Sequence, residues 1–218
     1  GFLTWGRLTP QLVEVLKLYF EKALTRLDIE LNYKRNRFVE YLSALICFYI
    51  PHPQEKWIPT FFKNTNADDR LKFSRQIGQL LQGMGIEQAD ELWKNWIKDY
   101  WEKRLQGLPK PLSEAEIPAM VEWLPHFGTM FEEAVKLAIQ MPIAKFEHSS
   151  IIHNIQGKSL VEQYPQATVK LLIYLLRAAC PPYIWFGLDK IIEKLDRGKI
   201  PTTLLCEFDE SLAEAGLG

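Results

Sequence analysis

The stretch YPQATVKLLIYLLRAACPPYIWFGLDKIIEKL, residues 164–195, decides the fold of this chain. Pro165 favours the start of a helix, because proline lacks an N–H group that would have no partner in a first helical turn. Apolar residues then recur at helical spacing on an arc wider than one face, so this helix needs partners on more than one side. Prolines at 181 and 182 end it, and a single apolar stripe to Leu195 predicts a second helix. The stretch therefore predicts an antiparallel helix pair, buried by further pairs on each flank.

Helical stripes of the same kind run through the rest of the chain. No segment alternates apolar and polar residues between turn signals, which is the pattern expected of a strand. Helices are predicted over residues 9–27, 32–50, 67–81, 87–105, 113–124, 127–139 and 202–215. They come in pairs of roughly 35–45 residues, a spacing typical of helical repeat arrays. We therefore expect an all-α fold in which antiparallel helix pairs stack as an irregular HEAT-like α-solenoid; a single irregular helical bundle is the alternative.

The domain organisation follows from the same pattern. We expect one helical domain over residues 1–218, with a candidate internal boundary in the proline-containing link at 107–112. The sequence begins at Gly1 rather than at a methionine, and we expect it to be the C-terminal part of a longer protein.

Two helices carry large apolar side chains for which the stripe predicts a core position. In the first helix the stripe includes Leu12, Val15, Leu16, Tyr19 and Phe20. The helix over 87–105 has the most regular stripe, with tryptophans on one face and lysines on the other. Aromatic rings beside lysines are also found where proteins stack nucleic-acid bases. Because these rings share the core stripe and the lysines point away, a packed core face is the favoured interpretation.

Composition indicates a folded globular protein. Apolar residues make up 47% of the chain and charged residues 24%, which excludes disorder. The formal net charge is −1, so no whole-molecule field attracts nucleic acid or a membrane surface. No signal peptide and no run of ~20 apolar residues is present. The three cysteines, Cys47, Cys180 and Cys206, are expected to be buried free thiols in a reducing cytoplasm.

A search for catalytic and metal-binding motifs finds none. His148 and His153 lie five residues apart and so fall on different faces of a helix, and no paired CxxC or HExxH motif is present. GxSxG, Walker and dinucleotide-binding motifs are also missing. Acidic residues are expected at helix starts and on exposed faces, with Ser113 and Glu116 forming a capping box. We therefore predict no catalytic, cofactor-binding or metal-binding residue and no enzyme activity in this chain.

A basic cluster is the one candidate binding patch. Lys34, Arg35 and Arg37 lie in the first turns of the helix predicted over 32–50. They suit either a small anion or nucleic-acid patch or a solvated helix face, and the solvated face is favoured.

Three segments resemble a known group of proteins. FEHSSII (146–152), LVEQYP (160–165) and TVKLLIYLL (168–176) look like the C-terminal helical region of large bacterial proteins implicated in antiphage defence. Some of those proteins carry an N-terminal sirtuin-like NADase domain. The resemblance is strongest over residues 113–205 and implies a helical domain used for sensing, autoinhibition or assembly. It carries over no sirtuin catalytic residue, because this chain has no Rossmann-like segment.

Together these observations lead to one functional expectation and three alternatives. We expect a non-catalytic sensor or scaffold domain of a bacterial antiphage defence protein, without a cofactor. Its expected partner is either a phage protein or a part of its own assembly, namely the effector domain or another subunit. Any effector activity is expected to lie in a missing N-terminal domain. The alternatives are a generic helical scaffold, a nucleic-acid-binding helical array, and an enzyme whose site is assembled from dispersed residues.

Overall fold

A computed structural model describes residues 8–24, 32–143, 149–178 and 187–217, and leaves the side chains of residues 32–36, 149 and 150 undescribed. Within these ranges the regular structure is helical and contains no strand. The predicted all-α fold is therefore confirmed, while the HEAT-like stacking stays a prediction. The chain divides into two compact units, Gly1–Ala119 and Met120–Gly218. The link at 107–112 lies within the first unit.

The first unit begins with two long helices and a short one. Its elements in chain order are α1 Pro10–Leu24, α2 Asn32–Tyr49, α3 Trp57–Lys63, α4 Ala67–Gly83, α5 Ile86–Leu92, a π-helical turn Trp93–Ile97, α6 Lys98–Leu105 and α7 Glu116–Val121, which runs across the division. Asn66 fixes the start of α4, because its side chain accepts from the Asp69 N–H at 3.0 Å and the Asp69 carboxylate accepts from the Asn66 N–H. Helix α4 packs against α2, and α1 contacts α2 and α3.

The predicted helix over 87–105 contains a π-helical turn at Trp93–Ile97. The prediction that its aromatic stripe faces the core is confirmed, because Trp93, Trp96 and Trp101 are all buried. The rings of Trp93 and Trp101 meet edge to face, with centroids 5.5 Å apart. Apolar spacing does not predict the wider turn, since it reports which face is buried and not how many residues the turn contains.

The second unit is built around one apolar helix. Its elements are a 3₁₀ turn Leu124–His126, α8 Phe131–Ala138, α9 Ser149–Gly157, α10 Leu160–Gln163, α11 Pro165–Ala178, α12 Leu188–Lys194, a 3₁₀ turn Arg197–Lys199 and α13 Thr202–Glu214. The wide apolar arc of α11 is buried as predicted, including Leu171 and Leu175. Helices α8, α10 and α13 pack against α11.

The helix that was expected to pair with α11 packs elsewhere. Helix α12 contacts mainly α9 and α10, whereas α8 and α13 pack against α11. Leu188 and Ile191 of α12 are buried, as its stripe predicts. Cys180 and the prolines at 181 and 182 lie outside the described residues.

Replacement of Leu172 tests the core position of α11. Leu172 is fully buried, so Leu172→Ala should lower the free energy of unfolding by about 2–5 kcal/mol, the usual cost of truncating a buried leucine. Urea denaturation followed by circular dichroism measures this. The control Lys170→Ala, at a partly exposed position of the same helix, should change it by no more than about 0.5 kcal/mol. Equal effects of the two substitutions would contradict the core placement.

Candidate functional site

A fully buried carboxylate lies between two arginines in the first unit. Glu116 Oε1 is 2.7 Å from Arg104 Nη2, and Glu116 Oε2 is 3.5 Å from Arg70 Nε. Glu116 is 0% exposed and Arg104 is 1% exposed. The Ser113 backbone N–H and hydroxyl also donate to Oε2, at 3.0 and 2.9 Å. The capping contact predicted between Ser113 and Glu116 is present, and Glu116 lies at a helix start as expected, since it is the first residue of α7. Its complete burial between two arginines is not predicted by the capping pattern.

The two guanidinium groups bind the surrounding backbone as well. Arg104 Nη1 donates to the Lys110 carbonyl, and Arg70 Nη1 donates to the Thr65 carbonyl at 3.3 Å. Both groups lie over the Phe62 ring, with Cζ to centroid distances of 4.8 Å for Arg104 and 5.8 Å for Arg70. These contacts satisfy charges that would be costly to bury alone. Through these hydrogen bonds, the segment between α6 and α7 (residues 106–115) is held against the C-terminal ends of α3 and α6.

A cavity of about 250 Å³ opens in this unit beside the link. Its apolar wall is formed by Ile58, Pro59, Leu108, Pro109 and the Tyr100 ring, and its polar wall by Gln54, Glu55 and Lys103. Burial is the main cause that raises the pKa of Tyr100 to about 12, and the nearby charge of Arg104 opposes that rise. Tyr100 is therefore neutral near pH 7, and it lies close both to the cavity and to Arg104 of the ion cluster.

A buried histidine and a lysine form a second polar contact, in the second unit. Lys158 Nζ lies 2.8 Å from Nδ1 of His126. Burial, and then the charge of Lys158, lower the pKa of His126 from 6.5 to about 4, and burial lowers the pKa of Lys158. Neutral His126 thus accepts a hydrogen bond from the lysine. The contact ties the 3₁₀ turn at Leu124–His126 to the residue that follows α9. Because the two residues are far apart in sequence, no local motif indicates the pair.

The outer face of α1 is apolar and exposed among the described residues. Its members are Leu12 at 44% exposed, Val15 at 60%, Leu18 at 59% and Tyr19 at 62%. The opposite side of α1, with Val13, Phe20 and Leu24, is buried. The prediction that Leu12, Val15 and Tyr19 lie in the core is therefore wrong. Helices α2 and α3 pack against one side of α1. The apolar residues of α1 occupy a wider arc than that side, so those outside it are exposed.

Comparison with protein families identifies the chain. A family model described as "Domain of unknown function (DUF4020)" matches residues 44–211. The chain belongs to the DUF4020 family. No curated protein and no solved structure matches it. The DUF4020 match includes the Glu116 cluster, the cavity and the His126–Lys158 contact, whereas α1 precedes it.

The basic and histidine residues singled out in the sequence are only partly described in this DUF4020 chain. Arg37 is exposed on α2. The side chains of Lys34 and Arg35 lie outside the described residues, so the basic patch stays a prediction. His153 is exposed, and His148 falls outside the described residues.

Two of the three cysteines lie in described parts of the chain, and both are free thiols. Cys47 is buried as predicted, and burial raises the pKa of its thiol. Cys206 is exposed, contrary to prediction, because it lies on the open side of α13.

Among the described residues, neither a membrane span nor a cluster of metal ligands is found. No helix among them is both long and apolar enough to cross a membrane. They also contain no group of three or more histidine, cysteine, aspartate or glutamate side chains placed to hold a metal ion.

Substitution of Glu116 tests the buried ion cluster. Glu116→Gln removes the negative charge and leaves two buried guanidinium groups without a counter-ion, so the free energy of unfolding should fall by about 3–5 kcal/mol. Glu114→Gln is the matched control, because Glu114 is exposed and lies two residues before Glu116. This substitution should change the free energy of unfolding by at most about 0.5 kcal/mol. Urea denaturation of both variants measures the difference. A similar small loss for both would mean that the carboxylate contributes no net stability.

The His126–Lys158 contact predicts a specific dependence of stability on pH. The folded-state pKa of His126 lies below 6.5, so the unfolded chain takes up the proton more readily as the pH falls from about 6.5 to about 4. Protonation of this one group should therefore remove about 2–3 kcal/mol of stability across that window. His126→Asn keeps an acceptor but cannot titrate. Urea midpoints measured every half unit of pH should fall less steeply for this variant, and parallel curves would contradict the assignment.

Proposed function

We propose that this DUF4020 chain is a non-catalytic protein-interaction domain, used as a sensor or scaffold in a bacterial antiphage defence protein. The exposed apolar face of α1 carries the proposal. Four large apolar side chains on one exposed helix face are unusual on a surface that does not bind another protein. Leu12, Val15 and Tyr19 stand at positions i, i+3 and i+7, which is the spacing of a helix–helix seam.

The chemistry of this face favours the amphipathic helix of another protein as its occupant. Charges on and beside α1 are paired, with Glu14 Oε1 2.8 Å from Lys17 Nζ and Glu21 Oε1 2.8 Å from Lys56 Nζ. These two pairs add no net charge beside the apolar face of α1. Nucleic acid would need an uncompensated basic surface, whereas an apolar helix stripe packs against such a face and leaves its own polar side in water.

The defence context is supported by the resemblance of residues 146–152 and 160–176 to the helical regions of antiphage proteins. In that setting the partner helix belongs to a phage protein or to another subunit. Its binding must favour one arrangement of the whole protein over another, since a ligand shifts an equilibrium only through a difference in affinity. We place the protein in the cytoplasm, in keeping with the free thiols of Cys47 and Cys206.

Charge substitutions on α1 test the interaction surface. Val15→Lys and Leu18→Lys should weaken partner binding at least about ten-fold, because each places an ammonium group against an apolar seam. Both positions are exposed, so the melting temperature should stay within about 2 °C of the parent value. Gln82→Lys adds the same charge at an exposed polar position of α4, away from the α1 face, and should leave binding unchanged.

The variants are best compared in the natural full-length protein, in cells challenged with phage. We expect protection to be lost with Val15→Lys and Leu18→Lys and kept with Gln82→Lys, at equal expression. Affinity capture of full-length protein before and after infection then separates a phage partner from a resident subunit. Full protection and unchanged capture with both α1 variants would show that the α1 face is not the interaction surface.

A further inference from the structure

The cavity beside the link between α6 and α7 has the size of a site for a small ring compound. Its volume is about 250 Å³. Cavities that hold drug-sized ligands start at about 300 Å³, whereas an apolar cavity of about 150 Å³ already admits benzene. A single or fused ring therefore fits this cavity, and a nucleotide does not.

One polar group in the wall lacks a partner. Gln54 is 7% exposed, and its side-chain Oε1 accepts no hydrogen bond. A buried amide oxygen without a donor is costly. Gln54 is one of the residues that line the cavity, and the last torsion of its amide is soft, so the oxygen can turn to meet a donor placed there. A ligand with an N–H group would then supply the missing donor.

The charges around the cavity exclude a strongly charged ligand. Lys103 Nζ is held 2.8 Å from Asp99 Oδ2, so its charge is largely compensated. Glu55 adds a negative group at the polar wall, which disfavours an anion. Glu55 is exposed and so offers a cation a counter-ion only at the solvent side. Deeper in the cavity the wall is apolar, and a cation there would lose its hydration.

From these three observations we propose that the cavity binds a small, neutral, planar heterocycle that donates one N–H hydrogen bond to Gln54 Oε1. The ring packs against Ile58, Pro59 and the Tyr100 ring, and Leu108 closes the solvent side. The proposal is independent of the α1 surface, because α1 contributes no residue to the cavity.

Titration with indole and with indene tests the site. Indene has nearly the same shape but no N–H group, so the pair isolates the hydrogen bond. We expect saturable binding of indole to the whole chain, about five-fold tighter than binding of indene. Shifts in two-dimensional NMR spectra should be confined to residues 54–59 and 100–109. Absence of saturable binding, or equal affinity for the two probes, would overturn the proposal.

Two variants locate the binding in this cavity. Gln54→Leu keeps the shape of the wall and removes the acceptor, so it should bind indole and indene equally. Leu108→Trp fills the cavity from a lining residue that is 52% exposed, and it should bind neither probe. Ile86→Trp, at a residue 51% exposed and outside the cavity wall, is the matched control and should bind as the parent does. Unchanged indole binding by folded Leu108→Trp would place the ligand elsewhere.

A free heterocycle and a tryptophan side chain of another protein share this chemistry. The peptide Gly-Trp-Gly separates the two sources. We expect it to bind more weakly than indole, because its backbone adds bulk that the cavity does not accommodate. Tighter binding of the peptide would overturn the small-molecule assignment in favour of a protein anchor.

Discussion

The contact of Glu116 with Arg104 and Arg70 is the constraint on which the first unit depends. Three buried charges are tolerated only when every partner is in place, so these contacts fix where α6, α4 and the start of α7 meet. Arg104 also holds the carbonyl of Lys110, and the link between α6 and α7 is thereby held in one position. That link supplies Leu108 and Pro109 to the cavity wall. The ion cluster thus helps to hold the side of the cavity wall that Leu108 and Pro109 form.

Much of the fold could be predicted because the relevant signals are local. The wide apolar arc of α11 and the tryptophan stripe of residues 87–105 recur every three or four residues, and both are buried. The ion cluster could not be predicted in the same way, since its members come from three separate segments and meet only after packing. The capping contact of Ser113 was the one local signal near it, and that signal does not reveal the arginines.

The exposed face of α1 illustrates a second limit of pattern reading. A stripe such as Leu12, Val15 and Tyr19 states that one face avoids water, but it does not state whether the same chain or another protein covers that face. The α1 face lies before the DUF4020 match, whereas the cavity lies within it.

A double-mutant cycle between Arg104 and Glu116 tests the central claim most directly. Arg104→Met, Glu116→Leu and the double variant are compared with the parent by urea denaturation, which isolates the energy of the pair. The account predicts a coupling of about 2–3 kcal/mol, with the double variant more stable than Glu116→Leu alone, because the second change removes an unpaired buried cation. Additive losses, within about 0.5 kcal/mol, would contradict it and would reduce the ion cluster to independent packing contacts.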